Sequence, residues 1–167
     1  RKSKIEEIKN LFSKNKFQET IDKINELCKP EVRPADLSCL SGVCKIIKSD
    51  PTEDEILSAL SDFEDAYYKE KNTNIGLESV CNFISTCILH SINYPKLFEY
   101  FLKAKQIYDD AEKKFSNNEK FCIAGLKLHK LILDYDKMRE INSVLINNNT
   151  KHLTCLLYTS PSPRDDE

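Results

Sequence analysis

Residues 11–21 read LFSKNKFQETI, a short polar turn between two apolar helical segments. A second stretch of the same kind, LILDYDKM, occupies residues 131–138. In both, the apolar residues beside the turn would pack the two helices against each other. Polar turns flanked in this way are typical of the helical hairpins of tetratricopeptide-type repeats. Both stretches therefore predict a fold built from helical hairpins.

Apolar residues recur at helical spacing along almost the whole region between these turns. Prolines and polar runs interrupt the pattern, for example at Pro30, at Pro34 and at residues 93–95. The pattern predicts eight helices in four hairpins that begin near residues 2, 35, 74 and 116, a spacing of roughly 40 residues. We therefore predict an all-α fold, an α-solenoid of about four tetratricopeptide-like hairpins. A compact eight-helix bundle is the structural alternative.

Two helix starts carry a local signal. Thr52 with Glu55, and Ser116 with Glu119, match the capping box, in which a hydroxyl and a carboxylate each bind a free backbone N–H. Gly42 interrupts the third apolar stripe, which consists of Leu37, Leu40, Val43, Cys44 and Ile47. The two pairs predict helix N-termini immediately after Thr52 and after Ser116.

The composition excludes several classes of function. The chain has 167 residues, with 25 basic and 27 acidic side chains and a net charge of −2. This balance argues against a nucleic-acid-binding surface, which needs a basic excess. No apolar run approaches the 18 residues that a membrane-spanning helix needs. We therefore predict neither nucleic acid nor membrane as a partner.

No known catalytic or metal-binding motif is present. The seven cysteines lack the paired spacing of zinc sites, and most of those before residue 155 lie in apolar stripes, where a cysteine acts as a small buried hydrophobe. With three glycines, the chain cannot form a glycine-rich phosphate loop. His90, His129 and His152 are scattered without an evident nucleophile or acid partner. We therefore predict no metal, no cofactor and no enzymatic activity.

The last residues are not typical of a natural protein. Residues 155–165, CLLYTSPSPRD, match one reading frame of a transposase sequencing adapter. We therefore predict a helical-repeat domain over residues 1–154, truncated at both ends, and a disordered, non-native tail over residues 155–167.

Lysines on the predicted helices are the candidate partner-binding residues. Lys127 and Lys130 lie one turn apart on one helix, and Lys113, Lys114 and Lys120 surround the link into that helix. The acidic surface of a partner would attract such charges. A solvated helix face is the alternative interpretation.

Two strings make residues 17–150 resemble the N-terminal helical arm of the COP-nine signalosome subunit two family. The family string Tyr-Ile-Ser-Thr-Ser corresponds to FISTC, residues 83–87. The family string Lys-Leu-Gly-Lys-Leu-Tyr-Leu corresponds to KLHKLIL, residues 127–133, followed as in the family by an acidic turn and a helix. At the partner-contacting lysines of the family's third helix, this chain has Ser38 and Ser41 and keeps Lys45.

The resemblance implies a non-catalytic scaffold. Such a subunit helps to position cullin–RING ubiquitin ligases for deneddylation, the removal of a ubiquitin-like modifier from the cullin, and catalysis belongs to another subunit. Its partners would be protein subunits of a large complex and a cullin–RING ligase, in the cytoplasm and nucleus. Lys45, Lys127 and Lys130 are the predicted partner-binding residues. A winged-helix PCI module would follow the solenoid, beyond the adapter junction.

Two other functions remain open. The chain also fits a scaffold subunit of the proteasome regulatory-particle lid. Alternatively, it is a free-standing tetratricopeptide-like adaptor that binds peptides in its concave groove. A groove lined by Asn and Lys would favour the adaptor.

Overall fold

A computed structural model describes residues 2–148, which form eight α-helices and no strand. The helices are α1 (Lys2–Ser13), α2 (Phe17–Leu27), α3 (Ala35–Ile46), α4 (Glu53–Lys69), α5 (Asn74–His90), α6 (Tyr100–Phe115), α7 (Glu119–Leu131) and α8 (Tyr135–Asn147). Short 3₁₀ turns at Pro30–Val32 and Pro95–Glu99 begin at prolines that interrupt the apolar pattern. The predicted all-α fold is therefore confirmed, and the tail over residues 155–167 lies outside the described residues.

The two predicted capping boxes have different outcomes. The first is confirmed, since the backbone N–H of Glu55 donates to Thr52 Oγ1 (3.2 Å) and that of Thr52 donates to Glu55 Oε1 (2.9 Å). The second is wrong, because Ser116 keeps helical backbone angles and ends α6. Asn118 caps α7 instead, through a 3.0 Å hydrogen bond from the N–H of Phe121 to its Oδ1.

The helices form an extended array. Within residues 2–148, each helix makes extended contact only with helices one or two places away along the chain. A compact bundle would also bring early helices against late ones. This pattern of neighbours is that of a helical-repeat solenoid, as predicted.

The array has two unlike layers. In the odd-numbered layer, α5 packs directly against α3 and α7. In the even-numbered layer, no extended contact joins α4 to α6 or α6 to α8 in the described part of the chain. Because a two-layer array bends toward the layer whose helices are closer, α3, α5 and α7 line the concave side.

The core is continuous from α3 to α8, and α5 lies at its centre. This helix has nine buried residues, among them Phe83, Ile84 and Cys87. The first hairpin contributes Ile8 and Ile24, which form a small separate cluster with Leu37 of α3. The N-terminal hairpin is therefore held by far less apolar packing than the rest of the array.

Two glycines allow aromatic rings to approach the odd helices. A Cβ atom at Gly42 would lie 2.6 Å from Cε1 of Phe63, and one at Gly125 would lie 2.5 Å from Oη of Tyr108. Both distances are far below van der Waals contact. Gly42 therefore does not weaken the third apolar stripe but makes room for a buried ring of α4.

Candidate partner-binding site

Lys45 lies between α3 and α4, bound by side chains of α4. Its Nζ donates to Asp62 Oδ2 at 2.7 Å and to Ser58 Oγ at 2.8 Å. The Lys45 and Asp62 side chains are only 18% and 14% exposed. The charge of Lys45 is therefore largely compensated within the chain, and a partner would have to compete with Asp62.

Ser38 and Ser41 continue the same polar contact between α3 and α4. Ser41 Oγ donates to Asp62 Oδ2 at 2.9 Å, and Ser38 Oγ donates to Asp65 Oδ2 at 2.8 Å. Both serines are buried. At these two positions, where the family resemblance places partner-contacting lysines, the side chains hold the second hairpin together.

Lys127 and Lys130 are exposed on α7, one turn apart, as the spacing predicts. Neither makes an ion pair with any residue that the structure describes. Helix α5 lies between α3 and α7, so these two lysines are not grouped with Lys45. The structure therefore brings together two of the three predicted residues. No observation tests whether any of the three binds a partner.

An open groove between α5 and α7 includes Lys127 in its lining. We call this cleft the α5–α7 groove. Its exposed or half-exposed polar side chains are Ser85 of α5 and, from α7 and its cap, Asn118, Glu119, Lys120 and Lys127. Its apolar lining comes from Cys81, Ile123 and Ala124. The groove lies on the concave side, because both helices belong to the odd-numbered layer.

The charges at the α5–α7 groove are unevenly compensated. Lys120 Nζ lies 2.6 Å from Oε2 of Glu78, an ion pair that joins α7 to α5. Lys127 has no such partner among the described residues. The groove therefore offers a basic end at Lys127 beside the apolar side chain of Ile123.

Sequence reasoning identified Lys120 and Lys127 but missed Ser85 and Ile123. Positions 81 and 85, and positions 120, 123, 124 and 127, each follow the spacing of one helix face. That spacing was visible in the sequence. The pairing of these two faces depends on how α5 packs against α7, which no local pattern specifies.

The cysteine side chains in the core are poorly reactive. Burial raises the pKa of Cys81 to about 11 and that of Cys87 to about 12, so both are protonated thiols at neutral pH. Among residues 2–148, no group of three His, Cys, Asp or Glu side chains is placed to hold a metal ion. No helix in that range is long and apolar enough to cross a membrane.

His129 is buried between α7 and α6 rather than in the α5–α7 groove. Its Nδ1 lies 2.6 Å from the carbonyl oxygen of Gly125, and its Nε2 lies 2.9 Å from Nζ of Lys105. Because a carbonyl only accepts and an ammonium only donates, the imidazole is neutral with its proton on Nδ1. Burial lowers the pKa of His129, which is consistent with this neutral form.

No protein-family model matches the chain, and comparisons with curated proteins and with solved structures gave no significant match.

Proposed function

We propose that this chain is a non-catalytic scaffold that holds an acidic segment of a partner protein in the α5–α7 groove. The observation that carries the proposal is the position of Lys127, an uncompensated cation beside Ile123 on the concave side of a helical-repeat array. Concave surfaces are the extended binding faces of such arrays.

The chemistry of the α5–α7 groove restricts the partner. A carboxylate would pair with Lys127, and an apolar side chain one turn away on the partner would cover Ile123. Asn118 and Ser85 would bind the partner's polar backbone groups. The Asn118 amide can donate through Nδ2 while its Oδ1 caps α7, and the Ser85 hydroxyl can both donate and accept. The expected ligand is therefore a short segment that combines acidic and apolar residues.

The resemblance to the signalosome family supports a finer proposal. In that case the chain is a scaffold of the COP-nine signalosome, and the bound client is a cullin–RING ligase. Lys127 and Lys130 belong to the string KLHKLIL that carries the resemblance. A scaffold subunit of the proteasome lid would use the same kind of surface.

The free-standing peptide adaptor is the second candidate, and one observation favours it. The α5–α7 groove combines Asn118 with Lys120 and Lys127. Side-chain amides and ammonium groups together suit the binding of extended peptides, because they bind both backbone carbonyls and carboxylates.

Binding measurements on the full chain test these proposals. The probes are a purified cullin–RING ligase and an array of peptides that contain acidic and apolar residues. We expect Lys127→Glu to weaken binding at least about tenfold, or about 1.4 kcal/mol. The matched control is Lys96→Glu, which reverses an exposed charge on the 3₁₀ turn before α6.

The outcomes separate the candidates. Ligase binding that depends on Lys127 supports the signalosome scaffold. Peptide binding that depends on Lys127, without ligase binding, supports the adaptor and contradicts the signalosome proposal. If neither probe binds, or if both lysine variants weaken binding equally, the α5–α7 groove is not the binding site.

A further inference from the structure

A second cavity lies on the other layer of the array, where the C-terminal ends of α4 and α6 approach each other. It is open to solvent, with a volume of about 360 Å³. Its polar lining consists of Tyr67, Lys71, Asn72, Asp110, Lys113 and Lys114. We call it the α4–α6 cavity, and none of its lining residues belongs to the α5–α7 groove.

Asp110 is the single carboxylate in the lining of the α4–α6 cavity, and it is already bound. Its Oδ2 accepts hydrogen bonds from Tyr67 Oη at 2.6 Å and lies 3.1 Å from Lys71 Nζ. The hydrogen bond from Tyr67 lowers the pKa of Asp110 most, and the contact with Lys71 lowers it further. Asp110 therefore remains ionised at neutral pH. Asp110 therefore compensates about one of the three ammonium groups.

Lys113 and Lys114 carry the remaining positive charge. Lys113 Nζ lies 3.9 Å from Asp110 Oδ1, and its side chain is 82% exposed. Lys114 has no acidic partner within residues 2–148. The partial negative charges of the two helix ends, about half a charge each, reduce this excess without cancelling it.

Neighbouring carboxylates on α6 do not supply the missing charge. Asp109 pairs with Lys105 at 3.0 Å, and Glu112 pairs with Lys137 at 2.8 Å. Each of these acids therefore has a cation of its own. The α4–α6 cavity therefore has a local excess of positive charge, although the whole chain is nearly neutral.

We propose that the α4–α6 cavity binds a phosphoryl group carried by a serine or threonine side chain of a partner protein. Lys113 and Lys114 place two ammonium groups at the cavity, where a net charge of about +1 remains after Asp110 and the two helix ends are counted. A phosphoryl group, with three oxygens and a charge of about −1.5 to −2 at pH 7, can contact both ammonium groups at once. Lysine is a common phosphate ligand that acts as a point charge. The Asn72 amide adds a neutral donor at the rim of the cavity.

Titration of the full chain with a fluorescent phosphoserine peptide tests this proposal. The comparison ligands are the same peptide without phosphate and inorganic phosphate alone. We expect the phosphopeptide to bind at least tenfold more tightly than its unphosphorylated form. Inorganic phosphate should displace the peptide only at concentrations at least tenfold above the peptide's dissociation constant.

Two variants and a charge-matched control locate the site. The double variant Lys113→Gln with Lys114→Gln should weaken phosphopeptide binding at least tenfold. Asp110→Asn, which removes the competing carboxylate, should strengthen it at least twofold, an effect that a purely structural role would not produce. Lys9→Gln with Lys14→Gln removes the same net charge from exposed positions near α1 and should change binding less than twofold.

Three results would overturn the proposal. One is equal binding of the two peptides. Another is equal weakening by the control pair, which would indicate nonspecific charge attraction. The third is displacement by inorganic phosphate at the peptide's own affinity, which would identify free phosphate as the ligand. None of these results depends on Lys127. Failure of this proposal would therefore leave the proposed function of the α5–α7 groove unaffected.

Discussion

The odd-numbered and even-numbered layers of this array are held together in different ways. Helices α3, α5 and α7 approach closely and meet through small side chains such as Cys39, Ser79 and Ala124. In the even-numbered layer, long polar side chains bridge the wider spacing. The bridges are Lys103 with Glu64 (3.4 Å), Tyr67 with Asp110 (2.6 Å) and Lys137 with Glu112 (2.8 Å).

This difference links side-chain size to curvature. Small residues let neighbouring helices approach, whereas an ion pair between long side chains spans a greater distance. One layer is therefore shorter than the other, and the array bends toward it. The same difference places the two proposed binding sites, because the α5–α7 groove lies on the closely packed layer and the α4–α6 cavity lies in a gap of the other.

The largest expected effect comes from enlarging a side chain in the closely packed layer. Ser79 of α5 is fully buried, and its hydroxyl lies beside the Cys39 thiol of α3. Ser79→Leu should lower the free energy of unfolding by about 1–3 kcal/mol, because the added carbon atoms have no space. Urea denaturation followed by circular dichroism measures this change.

Two matched variants show whether volume is the cause. Ser79→Ala removes a hydroxyl without adding volume and should change the stability little. Ser61→Leu makes the same enlargement at an exposed position of α4 and should stay within about 0.5 kcal/mol. A large loss in Ser79→Ala, or none in Ser79→Leu, would contradict the idea that small residues set the spacing of this layer.

An intermediate effect is expected where the two layers meet at His129. The pKa of His129 is lowered in the folded chain and is about 6.5 in the unfolded chain. As the pH falls, the unfolded chain therefore takes up a proton before the folded chain does. The free energy of unfolding consequently keeps its full value above pH 6.5 and decreases as the pH falls below that value. Protonation would remove the acceptor for Lys105, a hydrogen bond of about 1 kcal/mol.

Denaturation curves recorded between pH 7.5 and pH 5 measure this dependence. His90, whose pKa burial also lowers, contributes with the same sign, so His90→Gln serves as the reference background. In that background, His129→Gln should make the free energy of unfolding fall less steeply between pH 7.5 and pH 5. This holds whatever the effect of the substitution on the free energy of unfolding at pH 7.5. A decline of unchanged steepness would show that other groups cause it.

The smallest effect is expected from a bridge in the even-numbered layer. The side chains of Lys103 and Glu64 are 44% and 30% exposed, so water and salt screen their attraction. Lys103→Gln should lower the free energy of unfolding by less than about 1 kcal/mol, and by less still in 1 M salt. Lys96→Gln, which removes an exposed charge without an ion-pair partner in the described range, is the control. A loss larger than that of Ser79→Leu would reverse the comparison between the layers.

Much of the fold was predictable because helix boundaries depend on nearby residues. The periodic stripes, the prolines and the Thr52 cap act within a few residues, and the corresponding helices begin where the sequence indicates. The capping-box prediction at Ser116 was wrong because a serine in a capping sequence can also end the preceding helix, as Ser116 ends α6. The candidate partner-binding site was less predictable than the fold. Lys45, for example, is paired with Asp62 of a different helix, and no pattern within one helix indicates that pairing.

The sequence by itself determined the number and the order of the helices in residues 2–148 and the starting points of several of them, because backbone hydrogen bonds and caps are local. Only the tertiary structure decided which helix faces meet. Gly42 admits the ring of Phe63, and Ser85 lines a groove with Lys127, because packed helices approach as closely as their contacting side chains permit. The distance between two packed helices depends on the side-chain volumes of both helices, and the pattern within one helix specifies the volumes of that helix only.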